Sequence, residues 1–440
     1  AWTVRAWASC PTTGPSGCRS RRRSPAPAAT AAPTASAGAE REGAAGPVTE
    51  ADAVALAGAL TAALEEGRVA AWSGHFAPGR LRAQQRDWFA AVQATPMTVR
   101  AMHPLLLTPA RPGRDAELTI GFRHQVTGAD LVPTVERYRY LLARAGSGEL
   151  LVTEVDGGGR LEVDHPQLWD LAPTAVTETE HLVLVHPRDR AEDVAEAMPR
   201  LDRAAAEVLA DFPVPGVDRL VVTAAPGDQV DQVFGGDVEQ VLGFATSVPA
   251  SPVVEEHDGM DILPSERQIV ARAVVDLDQL VWEVQDAAGT LPDPEGGSPL
   301  LRHEGVHALM FLREPGVRPA RWVSEGLAGW YEERGDARTR ALTAEWRGSL
   351  LAVHGAPEGL PPADQAGFHN QDQQLHYLLA ASVFEYLEHA YGPETAREVG
   401  VALHGVSESD RAISGVLQEL VGTDLLGLEA RWLDWLAAQP

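Results

Sequence analysis

His303 and His307 enclose Glu304-Gly305-Val306 in an otherwise apolar run. Residues four apart on a helix share one face, one turn apart, so both imidazoles can reach a single metal ion. Glu304 is turned by about 100° from its neighbour, which suits a water on that ion better than the ion itself. A metal ion that does hydrolytic chemistry needs three protein ligands, an open position for water, and a carboxylate to take that water's proton. His303, His307 and a third residue fit the first requirement, and Glu304 fits the last as general base. With 14 histidines in 440 residues, about 0.03 chance H-E-x-x-H matches are expected, so coincidence is a poor account. Leu300, Val306, Leu309, Met310 and Leu312 surround the motif, as a helix buried on most sides requires. Gly305 runs against this pattern, at about 1 kcal/mol relative to Ala in a helix interior, unless close packing needs the space.

The segment Trp322-Val323-Ser324-Glu325-Gly326-Leu327-Ala328-Gly329-Trp330-Tyr331-Glu332 follows. It resembles the second signature of the gluzincin metallopeptidases, the group of the aminopeptidase-N-like and thermolysin-like enzymes. In the aminopeptidase-like branch a W-L-x-E-G-x-A-x-Y segment supplies the Glu that completes the zinc site. The resemblance therefore implies zinc as cofactor, Glu325 as third ligand and a peptide or protein as substrate. Seventeen residues separate His307 from Glu325, one fewer than the family's usual spacing, which asks for a tighter turn through Arg313-Glu314-Pro315-Gly316. More closely, the chain is similar to the peptidase MA-like proteins of actinobacteria, in which this unit follows an envelope-type N-terminal region. That likeness covers about 299 to 392 and implies an extracytoplasmic or envelope-associated protein. Related metalloproteases also bring a Tyr or His from a helical lobe to the developing oxyanion, which points to Tyr377 or His376.

Plainer roles exist for the same residues. Glu325 suits a helix start with Ser324 as N-cap, and Tyr377 suits a core position with a satisfied hydroxyl. Glu332 and Glu333 are the fallback third ligands. No G-x-M-E-N-type strand precedes His303 to capture a free amine, which disfavours exopeptidase action. A rival function is a metal-binding envelope scaffold without turnover.

Composition narrows the partners. A net charge of -26 argues against nucleic acid, because phosphate binding needs a basic face. Only Cys10 and Cys18 occur, both near the start, so no disulfide framework is expected. No apolar run of about 18 residues is present to span a membrane.

The elements that must position the motif follow from periodicity. Residues 1–47, rich in Ala and Pro with basic Arg19, Arg21, Arg22 and Arg23, read as a disordered tail. In 48–174, helices at Ala51 to Gly67 and Arg80 to Thr95 precede strands at Thr98 to Leu107, Glu117 to Val126, Thr134 to Ala143 and Glu149 to Val155. This order resembles the cone-shaped nuclear-transport-factor-2-like fold. Its histidines, His103, His124 and His165, are scattered and read as structural. In 175–440, strands at His181 to His186, Leu220 to Thr223 and Ile269 to Val275, with a helix at Ala191 to Asp211, form a small sheet before the motif. The run from 269 to 275 is the candidate edge strand for holding an extended substrate. Everything after Glu333 reads as helical. The expected class is α+β: a cone-like first domain, then a small mixed sheet with a mainly helical zincin-type lobe.

Overall fold

The computed structural model describes residues 46–111, 115–157, 167–227, 243–249, 269–285 and 297–439. The tail through residue 45, with both cysteines and the arginine cluster, lies outside these ranges, as does His165. The class is α+β, and within the described residues it is built from two sheets.

The first unit opens with α1 (Glu50–Glu65), α2 (Val69–Gly74) and α3 (Arg80–Ala94). Thr49 and Asp52 close a capping box at the start of α1, satisfying amide groups that a helix start leaves free. Strands β1 (Met97–Thr108), β2 (Ala116–Val126), β3 (Thr134–Arg144) and β4 (Leu150–Gly157) pair antiparallel in chain order. Alternation along β3 buries Thr134, Glu136, Tyr138, Tyr140 and Leu142 on one face. That face meets Trp72, Trp88 and Phe89 from the helices and Phe76 just after α2, with Trp72 and Trp88 stacked at 4.9 Å. His124 is not isolated: its Nε2 lies 2.7 Å from Glu136 Oε1, inside a buried network. Glu136 Oε2 accepts from the Tyr138 hydroxyl at 2.7 Å and from the Trp169 indole at 3.3 Å.

The second sheet comprises β5 (Thr174–Glu178), β6 (Leu182–Pro187), β7 (Leu220–Ala225), β8 (Gly243–Pro249) and β9 (Ile269–Asp276), in the order β5-β6-β7-β9-β8. Helix α4 (Ala191–Asp211) joins β6 to its parallel neighbour β7. Strand β9 extends the parallel set, and β5 and β8 flank it antiparallel. The expected edge strand is therefore corrected: Ile269 to Val275 lies in β9, paired on both sides, and among the described residues β8 is the edge next to it, with β5 at the opposite edge. The mostly apolar run of β9, broken only by Arg272, is what burial on two faces selects. Strand β8, Gly243-Phe244-Ala245-Thr246-Ser247-Val248-Pro249, carries a weak apolar signal that sequence reading passed over.

The two faces of this sheet have different partners. Leu184, Leu220, Val222 and Val275 face the helical side, whereas Val183, Val185, Val221, Phe244 and Val274 join the core of the first unit. A buried pair crosses the same boundary, with the Arg272 guanidinium donating to Asp130 at 2.5 and 2.8 Å. After β9 come α5 (Leu277–Gln285), α6 (Pro299–Arg313), α7 (Arg321–Glu332), α8 (Ala337–His354), α9 (Gln365–Phe368), α10 (Gln373–Tyr391), α11 (Pro393–His404), α12 (Asp410–Val421) and α13 (Leu425–Ala437). No described helix is long and apolar enough to cross a membrane.

Candidate metal centre

Helix α6 carries the H-E-x-x-H residues, and its start is tied down twice. Ser298 caps it, its hydroxyl oxygen accepting from the Leu301 amide at 3.1 Å, and Pro299 occupies the first helical turn. The same hydroxyl donates to the carboxylate of Glu283 on α5. Every residue from Leu300 to Met310 is buried. Gly305 is explained by packing: a Cβ there would stand 3.1 Å from Leu220 and 3.2 Å from Val208, so its absence lets α6 lie against β7 and α4.

Helix α7 is buried along its whole length, from Arg321 to Glu332. Its glycines permit close contact with α10, since a Cβ on Gly326 would fall 2.5 Å from the Ala380 carbonyl oxygen. The turn between α6 and α7 is the tight one expected, with Gly316 at φ 80°. Ser324 is not an N-cap: α7 begins three residues earlier, after Ala320.

These helices bring His303, His307 and Glu325 together. The two Nε2 atoms are 3.1 Å apart, and Glu325 Oε2 lies 3.5 Å from His303 Nε2 and 3.4 Å from His307 Nε2. Ligand atoms on a tetrahedral ion with bonds of about 2.0–2.1 Å stand about 3.3 Å from one another. The buried triangle therefore fits a small metal ion. Two imidazoles with a single carboxylate suit first-row divalent ions better than calcium or magnesium, which favour oxygen donors. Each histidine is oriented through its other nitrogen, His303 Nδ1 at 2.6 Å from Glu332 Oε2 and His307 Nδ1 at 3.3 Å from Ser324 Oγ. Glu332 thus stands behind His303 rather than in the triangle.

Glu304 is fully buried, and among the described residues neither carboxylate oxygen has a hydrogen-bond partner. Burial pushes its carboxyl up to about 8, with the charges of Glu325 and Glu332 adding to the rise against His303. A Cβ on Gly243 would lie 3.1 Å from Glu304 Oε1, so the first residue of edge strand β8 rests directly on this carboxyl. His303 responds oppositely: burial lowers it, but Glu325 and Glu332 outweigh that and hold it at about 10. His307 is lowered by burial. Burial would raise Glu325, yet His307 and Arg321 bring it well below the usual carboxylate range.

Tyr377 is buried on α10, its ring edge-on to Phe368 at 5.1 Å and to His369 at 5.9 Å, and it interacts electrostatically with Arg321. His376, the other candidate, is partly buried with its Nδ1 2.8 Å from the Phe368 carbonyl oxygen. Sequence reading missed Arg321, Ser324 as the partner of His307, and Glu332 as the partner of His303. Helical spacing carries the signal for two of them, because positions four before and seven after Glu325 share its face. A scan against protein-family models finds no match for this chain, and no curated protein matches it.

Proposed function

We propose that this protein is a zinc-dependent hydrolase of the gluzincin type, and most directly a peptidase. The observation that carries the reading is the buried triangle of His303, His307 and Glu325, with Glu304, a carboxylate without hydrogen-bond partners among the described residues, beside it. Zinc, when bound, supplies Lewis acidity and an acidified water at neutral pH. His303 and His307 would ligate through Nε2, His303 giving up its proton as the metal binds, and both are oriented through Nδ1 by Glu332 and Ser324. Glu304 takes the proton from the attacking water and returns it to the leaving amine. Burial keeps bulk water from competing, and beside a bound cation the raised proton affinity of Glu304 would fall toward the range in which it both takes and returns the proton.

Two features support a peptide as the substrate. Strand β8 is an antiparallel edge whose first residue touches Glu304, so an extended chain added along that edge would run past the base. Tyr377, beside Arg321 on the helical side, is the candidate donor to the carbonyl oxygen's developing charge. The order of helices and antiparallel strands in 48–174 likewise supports the nuclear-transport-factor-2-like reading of the first unit, in a binding or positioning role. The nearly complete enclosure of His303, Glu304, His307 and Glu325 favours a second reading, a metal-keeping protein without turnover.

Metal analysis and a peptide-library cleavage assay on the parent and on Glu304→Gln separate these. The hydrolase reading expects one zinc per chain in both proteins, and turnover lower by about two to four orders of magnitude in the variant. A zinc-loaded parent that cleaves no peptide, or a variant that cleaves equally fast, leaves the metal-keeping reading.

A further inference from the structure

Arg321 places a guanidinium against the carboxylate of Glu325, on the side away from the two imidazoles. It is 4% exposed, sits one helical turn before Glu325, and is anchored by its own amide, which donates to the Ala363 carbonyl at 2.8 Å. Its guanidinium reaches in two directions. Nη1 lies 3.1 Å from Glu325 Oε1, and Nη2 donates to His369 Nε2 at 3.0 Å. Arginine offers only donors, so His369 must accept at Nε2 and is the neutral tautomer with its proton on Nδ1.

The consequence concerns how the two oxygens of Glu325 are divided. Oε1 lies against the guanidinium, and Oε2 lies 3.5 and 3.4 Å from the imidazole nitrogens of His303 and His307. A carboxylate left to itself can ligate through one oxygen or both, and a second oxygen would fill the position that water and substrate need. A guanidinium is a rigid planar fork, whereas an ammonium is a mobile point charge, so burying this arginine costs desolvation that a merely space-filling side chain would avoid.

We propose that Arg321 is a positioning residue that holds Glu325 to one-oxygen ligation and so keeps the metal's remaining position open. His369, on the segment between α9 and α10, steadies the second arm of the fork. This rests on the metal-centre reading, and the test separates the two.

The full chain is loaded with cobalt(II), whose visible absorption is severalfold stronger at four-coordinate than at five-coordinate sites. Spectra are recorded at equal cobalt content for the parent, Arg321→Gln and Arg321→Lys, with circular dichroism to check the fold. The parent is expected to absorb strongly, Arg321→Gln severalfold less, and Arg321→Lys between them. A structural role alone would move the melting temperature and leave the spectrum of the bound metal unchanged. Parental spectra in the folded variants overturn the role of Arg321 while the metal centre stands. If only the lysine variant folds, its spectrum decides in the same way. A parent that binds no cobalt overturns the metal centre itself.

Discussion

Gly326→Ala tests whether the closeness of α7 and α10 is what places the third ligand. The added Cβ would lie 2.5 Å from the Ala380 carbonyl oxygen and 2.9 Å from its carbonyl carbon, below the 3.0 Å floor for such contacts. Both obstacles are backbone, so no rotamer change relieves them, and the helices must part by at least 0.5 Å to restore that floor. Overpacking of this kind costs about 1–3 kcal/mol, and the better helix propensity of Ala returns about 1 kcal/mol. A net loss of up to about 2 kcal/mol is expected, or a fall in Tm of up to about 8 °C for a unit of this size. Glu325 is the adjacent residue, and metal sites tolerate ligand displacements of only about 0.2 Å. Zinc affinity should therefore fall about tenfold or more. Thermal melts of the metal-free protein and a zinc titration against a chromophoric chelator measure the two effects. Gly329→Ala is the control, because its Cβ would meet only the Ala381 side chain, at 3.3 Å. If Gly326→Ala is as stable as the parent and binds zinc equally well, the packing argument fails.

Two further predictions follow from buried carboxylates around α6. Glu332→Gln replaces the acceptor 2.6 Å from His303 Nδ1, and zinc affinity measured by chelator competition should weaken by about 10–100-fold, an unchanged affinity counting against this orienting role. Glu283 is raised by burial to about 7 from 4.5, worth about 3 kcal/mol. Because the folded state holds this proton more tightly than the unfolded chain, stability is unaffected below pH 4.5, declines from there to pH 7 and stays lower above. Glu283→Gln removes that decline, so melts of parent and variant should differ most near pH 8 and least near pH 4.5, and a difference independent of pH would sink the assignment.

What the sequence determined about this protein is local and periodic. Four-residue spacing placed His303 and His307 on one helical face, and alternation marked β2 and β3, since both depend only on residues near in the chain. Gly305 of α6 was legible as a departure from helix propensity, whereas Gly326 of α7 was read only as part of its segment. Only the tertiary structure identified Leu220, Val208 and Ala380 as what they make room for. Strand order was beyond reach for a related reason: β8 and β9 differ in apolar character, but which of them forms the edge depends on pairing between distant segments. The boundary near residue 174 was read from a change in pattern. Folding places Val183, Val185, Val221, Phe244 and Val274 across it in the first unit's core, because a strand's second face points away from its own helices and must find another partner. Arg321 and Glu332 carried a spacing signal that alone could not assign them, since a charge on a helix is ordinarily solvated. Their burial against Glu325 and His303, which only packing decides, is what marks them as parts of the centre.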